Sequence, residues 1–90
     1  MTGDPVVHNQ ALSRFEVQLD GWLAQLVYEM DGDRMILLHT EVPQRFRKQG
    51  TGSRLVSAAI DYAAQRQLDV VPQCWFVQRW LERHAGTQQA

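Results

Sequence analysis

Two runs of alternating apolar and polar residues, joined by Asp20-Gly21, constrain this chain more than any other feature. Between Arg14 and Leu19, Phe15, Val17 and Leu19 fall on one side, and Arg14, Glu16 and Gln18 on the other. Strand side chains change face at every residue, so this pattern predicts a half-buried strand. Asp-Gly suits a tight hairpin because such turns need positive φ. The second run, Trp22 to Met30, alternates through Trp22, Ala24, Leu26, Tyr28 and Met30. Asp31-Gly32-Asp33 supplies another turn, and a third run extends from Arg34 to Val42. Its unbroken apolar block Met35-Ile36-Leu37-Leu38 predicts a strand covered on both faces. Three neighbouring strands with two tight turns make an antiparallel meander, and Val6-Val7 opens a short strand before it.

Beyond Pro43 the texture changes. Residues 43–52 read as a polar, basic, glycine-containing loop. From Ser53 to about Gln67 the period is helical, with Leu55, Val56, Ala59, Ile60 and Ala63 on one face. Asp69-Val70-Val71-Pro72 reads as a short strand, reached by a strand–helix–strand crossover, so it should pair in parallel with the third run. Trp75 to His84 forms a last helix with Phe76, Val77, Trp80 and Leu81 inward. The expected fold is α+β: an antiparallel meander, one parallel crossover and a C-terminal helix in a mixed sheet. Residues 1–90 are expected to form one domain, ordered over about 6–84, with a loose leader at 1–5 and fraying from 85.

Composition narrows the function. Nine basic and ten acidic residues give a net charge of −1, which disfavours general nucleic-acid binding. No long apolar run suits a membrane span, and the first residues lack the pattern of a signal peptide. The single cysteine, Cys74, cannot form an intramolecular disulfide, so a reducing cytoplasm is expected. No His, Cys, Asp or Glu grouping has metal-ligand spacing, and no metal is expected.

Arg47-Lys48-Gln49-Gly50-Thr51-Gly52 carries the strongest functional signal. It stands between a buried strand and an amphipathic helix. The first N–H groups of a helix lack intrahelical partners, and its dipole leaves partial positive charge there. Gly50 and Gly52 bring the backbone within reach of phosphate oxygens. Arg45, Arg47, Lys48 and Arg54 raise the local potential. A P-loop would need Lys-Ser/Thr after the second glycine, and a dinucleotide fingerprint a third glycine; Ser53-Arg54 and Leu55 stand there instead. A glycine-capped helix with a solvated basic rim accounts for the same spacing.

Arg47-x-x-Gly50-x-Gly52 matches the acyl-CoA diphosphate motif of the GNAT acetyltransferase superfamily, and in the same place, between a strand and the long helix. His39-Thr40-Glu41-Val42-Pro43, Val71-Pro72-Gln73-Cys74, Phe76-Val77 and Arg83-His84 follow in the order of its minimal GNAT-like branch, the N-acetyltransferase domain-containing protein 1-like proteins. The resemblance covers residues 7–84. It implies acetyl-CoA, or another acyl-CoA, as acyl donor and an amine as acceptor, on a small molecule or a protein. It also implies that two strands splay apart to admit the pantetheine. Val42 would bond that arm, the N–H groups of Gln49, Gly50, Thr51, Gly52 and Ser53 would hold the diphosphate, and Arg47 and Lys48 would add charge. Where relatives carry a tyrosine acid in the last helix this chain has Trp80, whose indole has only an N–H.

Three residues are candidates for catalysis. Cys74 ends the short parallel strand, where a thiolate would accept the acyl group and pass it on; buried cysteines are also common inert packing. His39 and Glu41 share a face of the third run, and either is placed to be the general base. Phe76 and Trp80 read as core, while Trp75 is free to flank the acyl pocket or the adenine. The alternative to an acetyltransferase is a non-catalytic CoA-binding module. With little chain left for acceptor recognition, the acceptor site should be open to solvent or completed by a partner chain.

Overall fold

The computed structural model describes residues 5–88, and the side chains as far as residue 84. The elements run β1 (Val7–Asn9), β2 (Arg14–Leu19), β3 (Trp22–Asp31), β4 (Arg34–Glu41), a 3₁₀ helix (Gln44–Gln49), α1 (Thr51–Gln65), β5 (Asp69–Pro72) and α2 (Trp75–Gln88). All but Pro5 of the expected leader lies outside the described residues, as do residues 89 and 90. The last helix runs four residues past its expected end at His84.

The five strands form one sheet in the order β1-β2-β3-β4-β5. The first four are antiparallel neighbours, and β5 lies parallel to β4 through the α1 crossover, as expected. At the first hairpin both Asp20 and Gly21 have positive φ. That is the geometry whose twist matches the flanking strands.

The core lies on one face. Phe15 and Val17 of β2 pair with Leu26 and Ala24 of β3, and Met35 and Leu37 continue that surface on β4. Leu55, Val56, Ala59 and Ala63 of α1 close over it, with Val77 of α2. With the buried α1 stripe packed on one sheet face, the other face is left partly open. Ile36 is only half-buried, and Leu38 is 37% exposed. The expectation that both faces of the Met35–Leu38 block are covered is therefore corrected.

A second correction concerns residues 43–52. They are not an irregular loop but a 3₁₀ turn that buries Phe46, followed directly by α1. Phe46 anchors this segment to the core and so fixes where α1 begins.

Candidate active site at the splayed strands

The sheet opens beyond Leu37. The β4–β5 ladder ends at the Leu37–Pro72 pair, and the N–H groups of Gln73 and Cys74 both donate to the Leu37 carbonyl, at 3.1 and 3.0 Å. The chain then turns into α2. β4 continues through His39, Thr40 and Glu41 with no β5 partner. Two strands that pair and then part leave a gap whose walls are backbone.

A bulge sits at the same point. Tyr28 pairs with Leu37 and Val27 with His39, so Leu38 is the extra residue. An extra residue reverses the faces of everything after it. Thr40 therefore points to the core side opposite Leu26, with its Oγ1 3.4 Å from Cys74 Sγ. His39 and Glu41 point to the open face, opposite Val27 and Gln25. The structure thus brings the catalytic candidates to one end of β4 but divides them between its two sides.

On the open side His39 Nε2–H donates to the Glu41 carboxylate at 2.8 Å. Gln25 Nε2 donates to the other carboxylate oxygen at 2.8 Å. These bonds, from Gln25 first and then His39, hold the Glu41 carboxyl below the usual carboxylate range. Glu41 stays ionised and fixes the imidazole, leaving Nδ1 of His39 free. On the other side Cys74 is nearly covered, with 9% of its surface exposed.

The glycine loop lies at the far end of the gap. Gly50 has φ 80° and caps α1 without a side-chain bond. Arg54 N–H is the first to bond back into the helix, to the Gly50 carbonyl at 3.1 Å. The amides of Thr51, Gly52 and Ser53 therefore have no intrahelical acceptor. Thr51 is buried as a whole residue, backbone included. A Cβ on Gly52 would lie 2.8 Å from the Phe76 ring. That glycine is required by Phe76, whatever it offers a phosphate.

A cleft of about 470 Å³ runs from Thr40 and Val42 to the glycine loop, lined also by Arg47, Trp75, Phe76 and Arg83; His39, Glu41 and Cys74 do not line it. Arg47 Nε donates to the Val42 carbonyl at 3.1 Å. Trp80 Nε1 donates to Ser53 Oγ at 2.8 Å. Lys48 and Gln49 are exposed and do not line the cleft. A second depression of about 290 Å³ shares Thr40, Val42 and Arg47 and adds Trp22, Leu23 and Glu41. The gap is thus approached from two directions, one facing α2 and the other the open sheet face.

A family model described as GCN5-related N-acetyl-transferase matches residues 14–90. The chain belongs to the GCN5-related N-acetyltransferase (GNAT) family. Protein NATD1 from Mus musculus is 34% identical over 82 residues, which cover 88% of this chain and 74% of that protein. The Homo sapiens protein of the same name is equally identical, covering 73% of its length. In fold, the solution structure of a GCN5-like protein from Staphylococcus aureus superposes with a TM-score of 0.75 at 24% identity, covering 98% of this chain and 87% of that one. The GNAT fold that the resemblance implies is therefore the fold found.

Four site residues escaped the sequence reading. Thr40 and Gln25 have no motif of their own, and only the strand register brings them to Cys74 and Glu41. Phe76 was assigned to the core but is exposed at the cleft, against Gly52. Arg83 carries no signal of its own outside the family resemblance, and α2 brings it to the cleft. Among the described residues no group of His, Cys, Asp and Glu could hold a metal ion, and no helix is long and apolar enough to cross a membrane.

Proposed function

We propose that this protein transfers an acetyl group from acetyl-CoA directly to an amine at the gap between β4 and β5. One observation carries the reading: the sheet parts at a bulge that lies between free helix N-terminal amides and a hydrogen-bonded His39–Glu41 pair. The diphosphate would rest on the amides of Gly52 and Ser53, which line the cleft, with Arg47, and beyond it Lys48, adding positive charge. The pantetheine would follow β4 past Val42. Its thioester would then lie beside Thr40, with Cys74 behind it.

The acceptor enters from the open face. An amine arriving as an ammonium gives its proton to Nδ1 of His39, which Glu41 orients. The amine nitrogen attacks the thioester carbonyl, the C–N bond forms, the nitrogen gives its second proton to solvent, and the C–S bond breaks. The CoA thiolate leaves and takes a proton from solvent. Trp80 takes no part in that proton transfer, because its N–H is committed to Ser53. With a single cysteine and so no internal disulfide, the protein is expected to work in the reducing cytoplasm.

The test is a reaction of acetyl-CoA with a panel of amines, following free CoA and the intact mass of the protein. Release of CoA matched by acetylated amine supports transfer. His39→Gln should then lower kcat by about 10²-fold or more while CoA still binds. A protein-bound acetyl group that disappears in Cys74→Ala would move the first step to the thiol. CoA binding without any turnover would make the chain a CoA-binding module, a reading that the tied indole of Trp80 favours.

A further inference from the structure

Beside the main cleft, along α2, lies a depression of about 210 Å³. It shares Ser53, Trp75, Phe76 and Arg83 with the cleft and continues past Arg79 to Trp80 and His84. Every ionisable side chain lining it is basic, in a chain whose net charge is −1. Residues 75, 79 and 83 are spaced four apart, so one stripe of the helix carries Trp75, Arg79 and Arg83. Glu82 approaches Arg79 only to 4.0 Å at an exposed position, a pairing that water screens.

The aromatic part is equally unusual. Trp75 is 67% exposed, and the Arg79 guanidinium stands over its ring at 5.3 Å. The floor is rigid by comparison: Trp80 is tied to Ser53, its ring stacks on His84 at 3.8 Å, and His84 Nδ1–H donates to the Trp80 carbonyl at 2.8 Å. Cations beside an exposed aromatic plane suit a phosphorylated nucleoside. Guanidinium groups fork onto phosphate oxygens, and a purine stacks on an indole.

The position decides which nucleoside. Ser53 belongs to the first turn of α1, where the free amides are. A diphosphate seated there has its nucleoside end leading into this depression. We infer that the Trp75–Arg79–Arg83 stripe of α2 binds the 3′-phosphoadenosine end of coenzyme A, with both arginines on the 3′-phosphate and Trp75 against the adenine. The inference rests on the acyl-CoA reading above and adds a second anchor to it. It makes the protein select CoA over its 3′-dephospho form.

Calorimetric titration of the full chain with CoA, 3′-dephospho-CoA and a short oligoadenylate tests this. CoA should bind roughly tenfold more tightly than 3′-dephospho-CoA. Arg79→Gln, at an exposed position, should bring the two affinities together by weakening CoA alone. Trp75→Ala should weaken both alike. Equal affinities in the unaltered protein, or an Arg79→Gln loss shared by both ligands, would overturn the inference and leave the acyl-CoA reading standing. Binding of neither form overturns both. Tighter binding of the oligoadenylate than of CoA would assign the stripe to nucleic acid instead.

Discussion

Two histidines mark opposite ends of this sheet, and their surroundings differ. His8 on β1 meets the Tyr28 hydroxyl at 2.6 Å, stacks on Phe15 with ring centroids 4.1 Å apart, and meets the edge of Tyr62 on α1 at 4.4 Å. His39 on β4 has one firm partner, Glu41, and both are exposed. Around His8, β1 is paired with β2, and Tyr62 of α1 meets the ring. At His39, β4 is still paired with β3, but its ladder with β5 has stopped. The comparison separates the tightly packed part of a 90-residue chain from the open part to which binding and chemistry are assigned under the proposed function. The boundary runs through β4, between Leu37 and Leu38.

The sharpest test of that boundary replaces those two neighbours in turn. Leu37 is fully buried under the helices. Leu37→Ala should destabilise the protein by about 2–5 kcal/mol, through lost burial and the cavity left behind. Leu38 is the extra residue of the bulge and faces outward, so Leu38→Ala should change stability by about 0.5 kcal/mol or less. Chemical denaturation of the two variants measures the contrast. Similar losses would mean that the open side is as tightly built as the closed one.

A smaller effect is expected at the loop. Gly50 has φ 80°, and a Cβ there would meet nothing within 4 Å. Gly50→Ala therefore carries only the backbone penalty of the left-handed region, roughly 1–2 kcal/mol. It should also weaken CoA binding, since relief of that penalty would re-aim the first amides of α1. Thermal melting and a CoA titration would show the two losses together. A CoA affinity unchanged in a destabilised variant would remove the loop from the ligand site.

Much of this was legible beforehand, and the reasons are local. Alternation and Asp-Gly turns are written in neighbouring residues, so β2, β3 and the first hairpin could be read directly. The Arg47–Gly52 loop was legible as a motif. The bulge was not, because Leu38 is as apolar as the residues before it. Its only trace is the change of parity from Met35 and Leu37 to Thr40 and Val42 as the residues facing inward. The 3₁₀ turn was hidden in the same way, since Phe46 is one apolar residue among charged ones. The contacts of Thr40 with Cys74, and of Trp80 with Ser53, join positions 34 and 27 residues apart. No local pattern announces such pairs.

The smallest effect separates the two histidines by pH. Burial first, and the nearby Arg66 cation second, push His8 below its ordinary value. Tyr28, Tyr62 and Arg66 surround it, and the Tyr28 hydroxyl is itself pushed up by burial, so it remains protonated. A histidine with a lowered folded pKa favours the folded state most when it is neutral in both states. That contribution is complete above the unfolded value of about 6.5 and is lost as pH falls through the folded value. Stability should therefore decline as pH falls below about 6.5, the unfolded value. The Glu16 and Glu41 carboxyls are held low, by Arg14 and Gln25 respectively. Their contributions disappear only in more acid solution, below the ordinary carboxylate range. His8→Phe keeps a ring against Phe15 and removes the titrating group, so it should flatten the decline while leaving the proposed acetyl transfer intact. His39→Gln should do the reverse. A decline that survived His8→Phe but vanished in His39→Gln would place the pH-sensitive part of the fold on the open side of the sheet.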